Sequence, residues 1–255
     1  MESNFVWDNL KFFVDTLKFL PVSESLTLSQ NGSCCVSTGT YSENWVYCSE
    51  REITPEMADM AVNFFRERGD SGETFMWPVY ADSESNREIL EGAGLIYAGN
   101  LTAMCLDSAK ITLARNNDAV KIEGVKSREM AEVWAETASR GFGEDGASDS
   151  YRKFAESLCA ERERVGLYLA GYGGEYAGTF CVTEDPEMTG VYYFAVVPEF
   201  RRKGVARAMM SEICRLSAGR KIVLQATPIG AKFYGAFGFE ELFRIPVYST
   251  DGDIL

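Results

Sequence analysis

The chain has 255 residues, 46% hydrophobic and 25% charged, which suits one large or two ordinary globular domains and contains no uninterrupted transmembrane run. Its formal charge of −13 argues against a nucleic-acid partner, since binding a phosphate backbone needs a basic face. Histidine is absent, which removes His-based triads, His metal sites and a histidine general base together.

The charge is uneven. Residues 1–118 hold 18 acidic and 8 basic residues, whereas 119–255 hold 20 and 17, so the first half could steer a cationic small molecule. Seven cysteines show no CxxC pair, which predicts buried thiols in a reducing compartment and no zinc site. The start carries Glu2, Asp8 and Asp15 among its apolar residues. It reads as an amphipathic helix rather than a signal peptide, and the expected address is the cytoplasm.

A first helix is predicted over 4–19, with Phe5, Leu10, Phe13 and Leu17 on its buried side, ended by Pro21. Short strands follow at 26–29, 34–37 and 44–48, with turn signals at Asn31-Gly32 and Gly39. Thr54 caps a helix to Gly69, with Pro55 at its first position and a stripe of Met57, Met60, Ala61, Phe64 and Phe65. A strand at 74–80, a helix at 85–93 and a strand at 95–106 complete the half. Glu50, Glu52 and Glu56 surround the start of the Thr54 helix and would repel a pyrophosphate. Trp45, Trp77 and Tyr80 are strand aromatics of the kind that fill cores. Residues 107–118 are a polar join, with Asn116-Asn117-Asp118 as the boundary.

The second half opens with a strand at 119–125 and a helix from Ser127 to about Arg140. A polar loop (141–150), a helix (151–160) and a strand (164–172) come next. Gly173-Gly174 is a hairpin turn into a strand at 175–183. Asp185-Pro186 turns into a strand at 189–197 that stops at Pro198. Arg201, Arg202, Lys203, Gly204, Val205 and Ala206 form a loop running into a helix over 205–217. A helix N-terminus of this kind presents unpaired amides suited to phosphate. A strand (221–226), a short helix (230–236) and a last strand over 239–248, broken at Pro246, follow. A meander joined to a βαβ unit makes a mixed sheet.

Residues 201–206 stand as Arg-Arg-Lys-Gly-Val-Ala, and FYGAFGF (233–239) follows on the short helix. In this context the second half, roughly residues 119–250, resembles the GNAT family of N-acetyltransferases, whose motifs are Arg/Gln-x-x-Gly-x-Gly/Ala and FYxxxGF. The first half has a similar order of elements, and residues 86–99 look like a faded copy of the second motif. The resemblance implies an α+β fold of two GNAT-like domains, each a mixed, mostly antiparallel sheet flanked by helices. Residues 1–116 would be a degenerate copy and 117–255 the acetyltransferase domain.

The same resemblance implies acetyl-coenzyme A as co-substrate, with no metal required. The amides around 202–206 would hold its pyrophosphate, Gly204 permitting close approach and Arg201, Arg202 and Lys203 adding charge. Phe194, Ala195 and Val196 would pair their backbone with the pantetheine arm, and one amide would polarise the thioester carbonyl. Tyr234 matches the family's general acid for the departing thiolate. Thr227 stands where many members have an asparagine. Glu123, Glu144 and Glu184 are candidate bases by region alone, and the loop 141–150 would border the acceptor site. The expected reaction is direct acetylation of a small-molecule primary amine, with no nucleic-acid or membrane partner and with homodimerisation open. A coenzyme A sensor or scaffold, transfer of a longer acyl group, and acetylation of a protein amine stand as alternatives.

Overall fold

The computed structural model describes residues 3–40, 43–69, 74–110, 118–143, 146–147 and 149–252. The chain forms two compact units: Met1–Met104 with Gln225–Leu255, and Cys105–Leu224.

The first unit begins with α1 (Ser3–Lys18), which buries Val6, Trp7, Leu10, Phe13, Val14 and Leu17. Phe5 is only half-buried, so the stripe starts one residue later than its spacing predicts. Strands β1 (Glu24–Thr27), β2 (Cys34–Ser37) and β3 (Trp45–Tyr47) make an antiparallel meander. Helix α2 (Pro55–Arg66) starts where Thr54 accepts a hydrogen bond from the Met57 amide, and it buries Met57, Ala58, Ala61, Phe64 and Phe65. Strand β4 (Met76–Pro78) lies parallel to β3; α3 (Glu84–Gly92) and β5 (Ile96–Asp107) follow. Phe65 stacks on Phe75 at 4.2 Å in a core shared with Trp77, Leu90 and Tyr248.

Tyr248 belongs to β11 (Glu240–Ser249), the strand at the far end of the sequence. It pairs antiparallel with β4, Tyr248 opposite Trp77, and lies between β4 and β5 in the strand order. The helix before it, α7 (Pro228–Gly235), belongs to the same unit. The compact units therefore divide differently from the expected 1–116 and 117–255: residues 225–255 pack with the first unit because β11 supplies the edge that β4 needs. Pro246 does not break the strand. It lacks an N–H, but its carbonyl accepts from the Val79 amide at 2.8 Å, and the sheet tolerates proline where only its acceptor is required.

The second unit contains β6 (Val120–Gly124), α4 (Arg128–Phe142), α5 (Asp149–Ala160), β7 (Val165–Tyr172), β8 (Glu175–Thr183), β9 (Met188–Val196), α6 (Val205–Ser217) and the start of β10 (Lys221–Ala226). Its strand order is β10-β9-β8-β7-β6. All pairs are antiparallel except β9 with β10. Gly173 and Gly174 take φ of 64° and 91°, as a two-residue hairpin between β7 and β8 requires. Ser127 caps α4, whose buried face of Ala131, Trp134, Ala135 and Ala138 lies on the sheet. Each unit is thus a mixed, mostly antiparallel sheet with helices, as expected.

Candidate active site

Strand β9 is irregular in a way its sequence does not announce. Tyr193 takes φ of 50°, and the register with β8 shifts between Thr179 and Cys181. A non-glycine residue at positive φ is strained unless its surroundings hold it. Here the Thr179 hydroxyl donates to the Tyr193 carbonyl at 3.1 Å, and the Trp134 and Phe154 rings lie 5.3 and 6.0 Å from the Tyr193 ring. The consequence is a divergence. Parallel pairing with β10 runs only from Met188 to Gly190, while pairing with β8 continues to Val196. Phe194, Ala195 and Val196 occupy the part of β9 beyond the bulge. The strand is crowded from behind: a Cβ on Gly178 would sit 2.7 Å from the Ala195 carbonyl oxygen and 2.9 Å from the Met209 sulfur.

After β9, a short 3-10 turn (Pro198–Phe200) leads into residues 201–204. Arg202 has φ of 65° and Gly204 φ of 85°, so the chain turns sharply before α6. Gly204 occupies the N-cap and no side chain caps this helix. The first intrahelical bond runs from the Ala208 amide to the Gly204 carbonyl, which leaves the earlier amides of the turn directed out of the helix end. No acidic residue lies in the first turn. The aligned peptide dipoles add partial positive charge there, so the arrangement suits an anion.

The cations around this end do different things. Lys203 places its ammonium 5.1 and 5.7 Å from the Phe200 and Tyr172 rings. Arg202 is exposed. Arg201, expected beside the phosphates, donates to two backbone carbonyls, from Nε to Val196 and from Nη2 to Gly141, both at 3.1 Å. Val205 is buried and anchors the helix start, while Ala206 is half-buried.

In the first unit, Tyr234 lies on α7 with its ring edge-on to Phe233 and Phe239, at 5.2 and 5.4 Å. Its own carbonyl accepts from the Phe237 and Phe239 amides, closing the helix end. Burial pushes its phenol above the ordinary tyrosine range, so the group stays a neutral donor. Thr227 caps the same helix, its oxygen accepting from the Gly230 amide at 3.2 Å. That bond uses one acceptor site of the hydroxyl, and its O–H remains for another partner.

The candidate bases do not assemble. Glu123 is exposed on β6, separated from β9 by β7 and β8, and hydrogen-bonds Tyr176. Glu184 follows the end of β8 opposite to the Gly178–Val196 pairing. Glu144 lies outside the described residues. Among the described residues, no group of three or more His, Cys, Asp or Glu side chains could hold a metal ion, and no helix is long and apolar enough to cross a membrane.

Gly141, expected in the loop 141–150, lies instead inside α4 and lets that helix approach β9, and sequence reasoning missed Gly178, the small β8 residue against which α6 packs. A glycine within an otherwise regular helix or strand is the signal that was available for both. The bulge at Tyr193 has no such signal.

Comparison with known proteins fits this geometry. Residues 162–241 match the family described as "Acetyltransferase (GNAT) domain". A GCN5-related N-acetyltransferase from Kribbella flavida superposes with a TM-score of 0.66 at 13% identity, covering 96% of this chain and 95% of the other. A tandem GNAT protein from the clavulanic acid biosynthesis pathway gives 0.60 at 15% identity, covering 94% and 86%. A GCN5-related N-acetyltransferase from Sphaerobacter thermophilus gives 0.57 at 16% identity, covering 89% and 75%. No curated protein matches the chain. Residues 162–241 are thus similar to a GNAT acetyltransferase domain, and the fold of the chain is that of the superposed GCN5-related N-acetyltransferases. The matched segment spans β7 to the start of β11.

Proposed function

We propose that the protein acetylates a primary amine of a small molecule by direct attack on acetyl-coenzyme A, without a covalent enzyme intermediate. The observation that carries this is the pairing of an uncapped, acid-free α6 N-terminus with a strand, β9, that parts from β10 just before it. The amides of residues 202–206 take the pyrophosphate, with Arg202 and Lys203 supplying charge. The backbone of residues 194–196 takes the pantetheine arm, and one of its amides polarises the thioester carbonyl as negative charge develops on oxygen. Attack by the neutral amine forms the C–N bond and breaks the C–S bond. Tyr234 is the proposed acid: a neutral phenol gives its proton to the leaving thiolate, and the proton shed by the acylated nitrogen passes through water to restore the phenol. The net charge of −13 favours approach of cationic amines.

Acetyl-coenzyme A should raise the thermal midpoint, since a ligand at a hundred times its Kd adds about 2.7 kcal/mol. Thiol release with putrescine, spermidine, 2-phenylethylamine and ethanolamine then identifies the acceptor type. An unchanged midpoint at saturating coenzyme would refute the assignment. Binding without thiol release from any amine would make the protein a coenzyme A sensor.

A further inference from the structure

We propose that Arg201 is a positioning residue for the acceptor side of the reaction and not a ligand of the coenzyme phosphates. This rests on the acetyl-coenzyme A site proposed above. The guanidinium has a rigid fork of donors. Two of them are used on acceptors far apart in sequence: Nε on the Val196 carbonyl at the end of β9, and Nη2 on the Gly141 carbonyl in the last turn of α4. The Gly141 carbonyl is one of the last four of its helix, which lack intrahelical partners and carry the negative end of the helix dipole. Arg201 therefore serves a helix C-terminus, while the amides of its own turn serve the N-terminus of α6.

Two further contacts close the same joint. Gly141 lies so near β9 that a Cβ there would fall 2.7 Å from the Ala195 Cβ. Arg140, its neighbour, pairs with Glu199 of the turn before α6. Three consecutive α4 positions are affected, because Phe142 follows. Phe142 is seven and four residues beyond the buried Ala135 and Ala138, so it continues the apolar face of α4. It is nevertheless 54% exposed. Arg201 thus fixes the end of α4, at Gly141, against Ala195, in the stretch of β9 proposed to hold the thioester. An amine reaching that carbonyl passes the α4 terminus whose position Arg201 sets.

The test separates charge from geometry. Arg201→Lys keeps the charge but not the fork; Arg201→Met removes both. Coenzyme A affinity is measured by calorimetry at low and high salt. Acceptor kinetics use the four amines named above, and hydrogen exchange is followed at residues 141–143. Both variants should keep the coenzyme Kd within about twofold and the thermal midpoint nearly unchanged. Losing the bridging bonds should raise the amine KM by about tenfold, and lysine should not rescue it. Exchange at 141–143 should quicken in both. Gly141→Ala, which disturbs the joint with Arg201 intact, should raise the amine KM in the same way. A coenzyme Kd weakened tenfold or more by methionine and restored by lysine would make Arg201 a phosphate ligand and overturn the proposal. Unchanged amine KM and unchanged exchange in both Arg201 variants would overturn it as well. Loss of coenzyme binding by the wild-type protein's own measurement bears instead on the proposed function, while the exchange result still judges the latch.

Discussion

Among the described residues, two strands run parallel to the next strand and are joined to it through a helix: β3 through α2, and β9 through α6. Their turns are finished in opposite ways. Ahead of α2, Thr54 caps the helix and Glu56 occupies its first turn. Asn86, buried on α3, accepts from the Ile53 amide at 2.9 Å and donates to the Arg51 and Ala81 carbonyls at 2.8 and 2.9 Å. Glu50 takes the hydroxyls of Ser29 and Ser33. These partners all come from within the unit. Ahead of α6 no side chain caps the helix, Gly204 stands at the N-cap, and three cations precede it. The same joint can be sealed by the chain's own side chains or left for an anion to complete.

The largest effect should follow from spoiling the open turn. Gly204→Val forces a β-branched residue to φ of 85° and crowds the amides. If two charge-assisted bonds to the pyrophosphate are lost, coenzyme affinity should fall by about a hundredfold or more, read by calorimetry. One site per chain is expected in the wild type and none in the variant. A second, surviving site would mean that the sealed turn also binds. Next is Tyr234→Phe, which should lower kcat by about a hundredfold with coenzyme affinity nearly intact. Because burial holds the Tyr234 phenol above its usual value of about 10, the wild-type rate should not decline as pH approaches 10. An equal loss of affinity and turnover would make Tyr234 a packing residue only.

The sealed turn should respond in stability instead. Asn86→Leu leaves the buried Ile53 amide and two carbonyls without partners, at a cost of about 3 kcal/mol. For a protein of this size the thermal midpoint should drop by roughly 6–12 °C. A drop of only a degree or two would show that water reaches the turn.

Much of this contrast is written in local sequence. Thr54-Pro55 marks a capped helix start, and Gly204 among three cations marks an open one. Nearly all helices and strands follow from periodicity and turn residues. The pairing of β11 with β4 is different, because it joins residues about 170 positions apart (Val247 with Pro78) and no local pattern records a partner. The strained Tyr193 is likewise a tertiary outcome, held by Thr179, Trp134 and Phe154. The contacts of Arg201 are a further case. Its charge is legible, but the two carbonyls that take up its donors come from β9 and α4.

The smallest effect belongs to Glu50, and it tests whether the sealed turn carries its negative charge as part of its structure. Burial alone would raise this carboxyl, but hydrogen bonds from Ser29 and Ser33 and its own backbone amide outweigh burial and hold it below the usual range. A folded value below the unfolded one, about 4.3, gives stability that is present above that pH and is lost as pH falls through the folded value. The group is half-buried and still reaches solvent, so screening keeps the effect small. Glu50→Gln should therefore flatten the acid limb of thermal midpoint against pH, below about 4.3, and leave the neutral midpoint close to the wild type. An unaltered acid limb would mean that the serine hydroxyls do not distinguish carboxylate from amide. In that case the Glu50 charge would repel an anion without being built into the turn, and the seal would rest on Thr54 and Asn86.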